Sequence, residues 1–471
     1  MQRRIAMRFL GRDQELSALE REYKRNGGFV VVYGRRRVGK TTLIKEFIKG
    51  KNALYFLANE ESDRQNLNKF TEKLANFTQQ PHIAGSRLEN WQSAFRMLAA
   101  YQPQEKKVLV IDEFQYLVSV NAAYPSIFQE VWDEILKESN IMVILCGSLI
   151  SMMTSKVLSR SSPLYGRRTA QIRLQPLRFA EFRQAFPDKP FSQLTELYAV
   201  TGGVPKYIEF FDNKLSLWEN VSEVILAKSG FLYEEPVFLL EKEVRETVNY
   251  FSIMKAISLG NHKLSKIAGL LEQPTTSVSP YLATLSELFL VEKRVPVTEQ
   301  NPEKSRKGLY YICDYFIDFW FKFVYPHRGE LEMDNTGYVL KKIQSAFIEK
   351  HVSYVFEAIS RENFAAYCTA NNTDFVPARI GAYWNGNTEI DVMAVDQEHD
   401  SIFAGECKYY DKPVPADVYF DLKKKCEGVP EFQGKHIVYG IFSKSGFEQR
   451  LLDAAKENPD LYLFDQGERI P

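Results

Sequence analysis

The stretch from Phe29 to Thr42 constrains the fold of this chain more than any other. Four apolar residues, Phe29, Val30, Val31 and Val32, run into Gly34-Arg35-Arg36-Arg37-Val38-Gly39-Lys40-Thr41. The pattern G-x-x-x-x-G-K-[ST] is that of a loop wrapped around phosphate. Gly34 and Gly39 allow backbone conformations that a side chain would block, so successive N–H groups can surround an anion. Lys40 can reach the terminal phosphates, and the Thr41 hydroxyl can hold Mg²⁺. Leu43, Ile44, Phe47 and Ile48 then recur at helical spacing. The loop therefore opens a helix whose positive dipole end faces the same anion. Arg35, Arg36, Arg37, Val38 and Thr42 complete the expected nucleotide-contacting set.

Two downstream strands add chemistry to the loop. Lys107 to Glu113 (KVLVIDE) is apolar until its last two residues. Asp112, at the carboxyl end of that strand, can join Thr41 on Mg²⁺, and Glu113 can orient or deprotonate an attacking water. Asn140 to Ser148 is another buried strand, and Ser148 at its tip can contact a γ-phosphate or the water. Ala53 to Ala58 and Ala170 to Leu174 read as further strands; 62–77 and 90–100 read as helices. Arg167, just before the last of these strands, is a candidate finger for a γ-phosphate in cis or across a subunit boundary. Asp13 is placed to cap a first helix carrying Leu16 and Leu19. Strands alternating with helices from 28 to 175 predict an α/β fold with a mostly parallel sheet. From Arg178 to Asn213 the pattern is helical, broken at Thr201-Gly202-Gly203-Val204-Pro205.

Charge and cysteine usage narrow the setting. Sixty Lys and Arg balance sixty Asp and Glu, so any nucleic-acid surface must be local. The five cysteines are scattered without a CxxC pair, which suits a reducing compartment and gives no zinc site. No apolar run reaches membrane-spanning length. A cytoplasmic protein without a membrane partner is expected.

In order along the chain, FLGRDQEL, YGRRRVGKTTL, VLVIDEFQYL, CGSLISMM, PLYGRRTAQIRLQPL and TGGVPKY resemble the archaeal-type ATPase family. These are P-loop ATPases with a helical lid, related to AAA+ and STAND proteins. The resemblance covers about residues 5 to 230. It implies ATP as the bound nucleotide, hydrolysis with Mg²⁺, and a lid segment at Pro205 that senses the nucleotide. It names no substrate.

Beyond residue 240 the pattern changes. Apolar helices over 244–258, 263–271 and 277–288 lead into a two-stranded segment, 290–297 with 308–313. That order looks like a winged helix-turn-helix. Its third helix carries no Lys or Arg, while its wing tip holds Lys304, Arg306 and Lys307. DNA binding and a structural or regulatory role are both open for it. The aromatic run Asp314 to Tyr325 reads as core packing.

The last segment carries a second chemistry. A helix over 341–363 is followed by strands over 379–384, 388–395 and 401–409, a helix over 415–427, a strand over 435–442 and a helix over 447–458. This order, with Asp391 and Glu406-Cys407-Lys408, resembles the PD-(D/E)XK restriction-endonuclease-like fold. Asp391 and Glu406 can converge on a divalent metal, Mg²⁺ or Mn²⁺. Lys408, on the same strand face as Glu406, can stabilise a phosphodiester transition state. Glu357 can complete the metal shell, with Glu349 as a substitute. The region from about 340 to 465 resembles the C-terminal domain of unknown function often fused to archaeal-type ATPases. It carries Ile390 where the strict motif has Pro.

The expected organisation is an ATPase core over 1–175, a helical lid over 176–240, a winged helix over 241–330 and a nuclease-like domain over 331–471. The expected function is Mg²⁺-dependent ATP hydrolysis coupled to a metal-dependent domain acting on DNA. Its rival is an ATP-dependent switch whose C-terminal domain only docks. ATP, DNA and a second copy of the chain are the partners anticipated.

Overall fold

The computed structural model describes residues 9–84, 88–371, 375–386, 388–396 and 400–470. The chain divides into two compact units. The first comprises 1–185, 203–212 and 237–245; the second comprises 186–202, 213–236 and 246–471. The segment expected as a single lid is thus shared between them.

The first unit is built on five strands, β1 (Phe29–Tyr33), β2 (Ala53–Leu57), β3 (Lys107–Asp112), β4 (Ile141–Gly147) and β5 (Ala170–Arg173). All neighbours are parallel, in the order β2-β3-β4-β1-β5. Strands β1, β3 and β4 are buried throughout. That is why they read as unbroken apolar runs rather than as alternating ones. Side chains alternate between the two faces. Val30 and Val32 meet Leu19 of helix α1 (Asp13–Tyr23) and Leu43, Ile44 and Phe47 of helix α2 (Lys40–Phe47). Phe29 meets Phe128 and Trp132 in an aromatic cluster that also holds Trp91 and Phe95. The helix Tyr124–Val131 that supplies Phe128 was not anticipated. Helix α1 begins at Asp13 itself, with Arg12 at its N-cap and no side-chain cap. The expected Asp13 cap is therefore not made.

In the second unit, helices Val248–Ser258, Leu264–Leu270 and Thr275–Glu287 precede an antiparallel pair, β6 (Val291–Arg294) and β7 (Leu309–Ile312). The aromatic run is core, as expected: Phe316, Phe319, Trp320 and Phe321 are fully buried. A six-stranded sheet follows, made of β8 (Arg379–Asn385), β9 (Thr388–Asp396), β10 (Ser401–Lys408), β11 (His436–Ser443), β12 (Leu461–Asp465) and β13 (Glu468–Ile470). The strands lie in sequence order. β8, β9 and β10 are antiparallel, β10, β11 and β12 parallel, and β13 antiparallel. Helices Asp417–Glu427 and Gln449–Glu457 make the two parallel crossovers.

The β6–β7 connection is tied to the edge strand of this sheet. Val297 N–H donates to Ala382 O at 3.0 Å, and the Arg379 guanidinium donates to Glu299 O at 2.8 Å. The Trp384 indole donates to Lys307 O at 3.1 Å. The Val297 side chain belongs to the sheet's own apolar core. Among the described residues, no helix is long and apolar enough to cross a membrane.

Candidate functional site

Strand β4 lies between β1 and β3, so the carboxyl ends of all three strands meet at one edge of the sheet. The phosphate loop leaves β1 there. Gly34 has φ 152°, and a Cβ would stand 2.3 Å from Leu174 O, so only glycine fits. Gly39 has φ 95° and caps α2. The Pro205 ring comes within 3.9 Å of where a Gly39 Cβ would stand. The lid motif expected at the nucleotide therefore borders the loop.

The Lys40 ammonium is buried and donates to Gly34 O at 2.7 Å and Arg35 O at 2.8 Å. Burial pushes its pKa down, against the nearby carboxylates of Glu113 and Asp112. A phosphate offers that buried cation a stronger partner than two carbonyls do. Thr41 Oγ1 donates to Asp112 Oδ2 at 2.9 Å. The Tyr55 hydroxyl donates to the same oxygen at 2.5 Å, and burial holds Tyr55 protonated well above its ordinary range. Thr41 and Asp112 are hard oxygen donors side by side. They fit Mg²⁺, which takes one or two protein oxygens and keeps its waters.

Glu113 has φ 53°, an uncommon conformation for a non-glycine residue. Its backbone N–H is fixed by Asp112 Oδ1 at 2.9 Å. Ser148 Oγ donates to Glu113 Oε2 at 2.7 Å, and the Gln115 amide donates to the same oxygen. Arg37 also holds a positive φ, 74°. Two non-glycine residues in the left-handed region at one site mark stored backbone strain. Arg36 donates to the Tyr116 hydroxyl at 3.2 Å. The Arg35 guanidinium lies 5.5 Å from the Tyr207 ring centroid. Val38 is buried and Thr42 is exposed on α2.

Arg167 is not at this site. Thr169 N–H donates to Phe29 O at 2.7 Å, at the amino end of β1. At roughly 3.3 Å per residue, Gly34 lies about 17 Å further along that strand. Arg167 instead makes a two-pronged pair with Asp133, Nη2 to Oδ2 at 2.7 Å, and holds Asp133 below the usual carboxylate range. It is no finger in cis.

Sequence reasoning passed over Arg12. Its guanidinium is buried and donates to Val38 O at 3.1 Å and Gln175 O at 2.7 Å. It thereby ties the loop to the segment leaving β5. Gln115 and Tyr55 were missed as well, because each acts through a hydrogen bond that no spacing encodes.

The second cluster lies where β9, β10 and helix Ser353–Ala370 meet. Asp391 Oδ2 accepts from Cys407 N–H at 2.9 Å. Glu406 is buried and accepts from Lys408 Nζ at 2.9 Å and Lys425 Nζ at 2.5 Å. Burial, then the charge of Asp391, pushes the Glu357 pKa up to about 8. Burial, then the charge of Glu406, pushes Asp391 up to about 6. The charges of Glu406 and Asp391 outweigh burial at Lys408 and raise its pKa. The four expected residues are thus electrostatic neighbours. Among the described residues, however, no three His, Cys, Asp or Glu groups are arranged to hold a metal. The expected set of Glu357, Asp391 and Glu406 is not an assembled cage. Lys425, from the helix after β10, was not anticipated; it lies 19 residues from Glu406, with no motif linking the two. Glu349 lines a separate cavity.

The comparisons with known proteins follow this division. A family described as "ATPase domain predominantly from Archaea" matches residues 9–211. A second, described as "Archaea bacterial proteins of unknown function", matches residues 320–421, which include Glu357, Asp391, Glu406 and Lys408. An uncharacterized protein of Methanocaldococcus jannaschii is 32% identical over 97% of this chain and 99% of its own length. An uncharacterized ATP-binding protein of the same organism is 50% identical over 9% of this chain and 75% of its own. In fold, the chain is similar to a Walker-type ATPase of Pyrococcus abyssi, with a TM-score of 0.52 and 20% identity over 66% of this chain and 95% of that one. A nearly full-length relative, a family match over the phosphate loop and a parallel sheet with the expected site at its edge all agree: this chain belongs to the archaeal P-loop ATPase family.

Proposed function

We propose that the chain hydrolyses ATP with Mg²⁺ at the edge of the first sheet. The observation that carries this is the pairing of two adjacent functions. Thr41 and Asp112 share a hydrogen bond where Mg²⁺ would sit, and Ser148 and Gln115 both aim Glu113. Mg²⁺ would supply charge neutralisation on the phosphates. Lys40 would exchange its two carbonyl partners for phosphate oxygens. Glu113 would accept a proton from water on Oε1, with Ser148 and Gln115 holding Oε2 and so aiming the carboxylate. Lys40→Ala should abolish ATP turnover in a phosphate-release assay; unchanged turnover would remove the assignment.

We further propose that the second unit holds a winged helix and a restriction-endonuclease-like domain that binds or cleaves DNA. Three helices and a hairpin support the first part, and the αβββαβ order with Asp391, Glu406 and Lys408 supports the second. The DNA test is nicking of plasmid in Mg²⁺ or Mn²⁺, lost in Lys408→Ala. No nicking, or nicking that survives the substitution, sinks the cleavage.

One observation favours a second reading, an ATP-dependent switch with a C-terminal docking module. Both Glu406 oxygens are already engaged by lysines. On this reading Mn²⁺ gives no heat in calorimetry with the full chain, and DNA is not cut. A stoichiometric Mn²⁺ site lost in Asp391→Asn would rule it out.

A further inference from the structure

A cavity of about 560 Å³ opens in the second unit beside the β6–β7 pair and the helices that follow. That volume is in the range of small-molecule sites. One wall is a stack of planar groups. The His262 ring lies parallel to Tyr311 at 4.2 Å, and the Arg294 guanidinium carbon is 4.4 Å from the same ring centroid. Two planar groups at those distances cannot share one face, so Tyr311 is sandwiched between them. His262 Nδ1 lies 2.9 Å from Tyr310 O and so donates to it. Burial keeps His262 below its ordinary pKa, so it is neutral near pH 7 and its other nitrogen is an acceptor. Arg294 uses Nε on Glu292, and among the described residues its terminal nitrogens make no hydrogen bond.

The lining also carries cations. Lys342 and Lys350 line the cavity and have no carboxylate partner among the described residues. Asp318 is already taken by Lys322 at 2.9 Å and His351 at 3.2 Å. Glu349 is the remaining acidic group among the residues lining the cavity. Planar cationic and aromatic surfaces hold nucleobases by stacking, and unpaired ammonium groups hold phosphate.

We propose that this cavity binds a nucleoside 5′-phosphate, either free or as the phosphorylated end of a single strand. No residue of the phosphate loop is among those lining it. Tyr354, which lines the cavity, lies one helical turn before Glu357, on the same helix face. A strand end seated here would run on toward Asp391 and Glu406.

The test uses the full-length chain carrying Lys40→Ala, in EDTA, so that neither the phosphate loop nor a metal contributes. Thymidine 5′-phosphate, inorganic phosphate and a 5′-phosphorylated oligothymidine are titrated in turn by calorimetry. Thymidine 5′-phosphate should bind, and Arg294→Ala and Lys350→Glu should each weaken it at least tenfold. Displacement by the phosphorylated oligonucleotide, but not by its unphosphorylated form, identifies a strand end; no displacement identifies a free nucleotide. Binding no tighter than that of inorganic phosphate, or indifference to both substitutions, overturns the proposal. Lys350 is exposed, so its variant keeps the test open if Arg294→Ala does not fold. Cleavage is not measured, so failure of the nuclease reading leaves this result standing.

Discussion

The Ser148 hydroxyl donates a 2.7 Å hydrogen bond to Glu113 Oε2, joining the tip of β4 to the residue that follows β3. One oxygen of Glu113 is thereby held and the other is left for water. Glu113→Gln should keep ATP binding and lower turnover by about 10²-fold or more, the usual range for a general base. Ser148→Ala leaves the carboxylate in place but loosened, and should cost about tenfold. Steady-state hydrolysis alongside nucleotide binding separates the two effects. Equal losses in both variants would contradict this division of labour.

Arg12 predicts a structural contribution at a distance from the chemistry. Removing its guanidinium leaves the buried Val38 O, and Gln175 O, without that donor. Arg12→Ala should cost about 2–4 kcal/mol, since hydrogen bonds from charged groups contribute more than neutral ones. It should also weaken ATP binding, because Val38 belongs to the loop. Urea unfolding and nucleotide titration check both effects. A variant with wild-type stability would show that the clamp is not needed.

A pH effect follows from Asp318. Burial alone would raise its pKa, but the charge of Lys322 and the hydrogen bond from His351 outweigh it, and the carboxyl sits at about 2. Its pKa in the folded state is below the ordinary 3.8, so its stabilising contribution is present above that value. It is lost as pH falls from about 4 toward 2, and amounts to about 2 kcal/mol at most. Asp318→Asn should flatten that part of the acid-denaturation curve. Identical acid limbs for the two proteins would contradict the pairing.

Lys425 bears on the metal question. Its ammonium is 2.5 Å from Glu406 Oε1 and competes with any cation for that carboxylate. On the nuclease-like reading, Lys425→Ala should tighten Mn²⁺ binding by about fivefold, the effect of roughly 1 kcal/mol for a partly exposed pair. Calorimetry with Mn²⁺ measures it. Unchanged or weaker binding would assign Lys425 a supporting role instead.

Much of the first unit could be read along the chain because its constraints are local. Gly34, Gly39, Lys40 and Thr41 act within one turn of backbone, and Asp112-Glu113 follow directly from a strand end. Ser148 was legible for the same reason. Arg12 was not: it bonds to Gln175, 163 positions away, and nothing in its neighbourhood distinguishes it from a surface arginine. Arg167 misled because its distance from the loop depends on the direction of β5: β5 runs parallel to β1, so the residue before it lies at the end of the sheet away from the loop. In the second unit, Asp391, Glu406 and Lys408 stood out by spacing, whereas Lys425 approaches from another element. Strands β12 and β13 were missed because LYLFD and ERI are short, five and three residues, and too brief for a clear periodicity. The helix over Tyr124–Val131 has Pro125 in its first turn, where proline is tolerated but reads as a breaker.

The tie between Val297 and Ala382 has a mechanical consequence. The β6–β7 connection adds a rung to the open edge of β8 and plants a side chain in the sheet's interior. Separating the three-helix module from that sheet would mean extracting Val297 and breaking the bonds from Arg379 and Trp384. A pull on the β6–β7 connection is therefore borne directly by β8, the neighbour of the strand that carries Asp391.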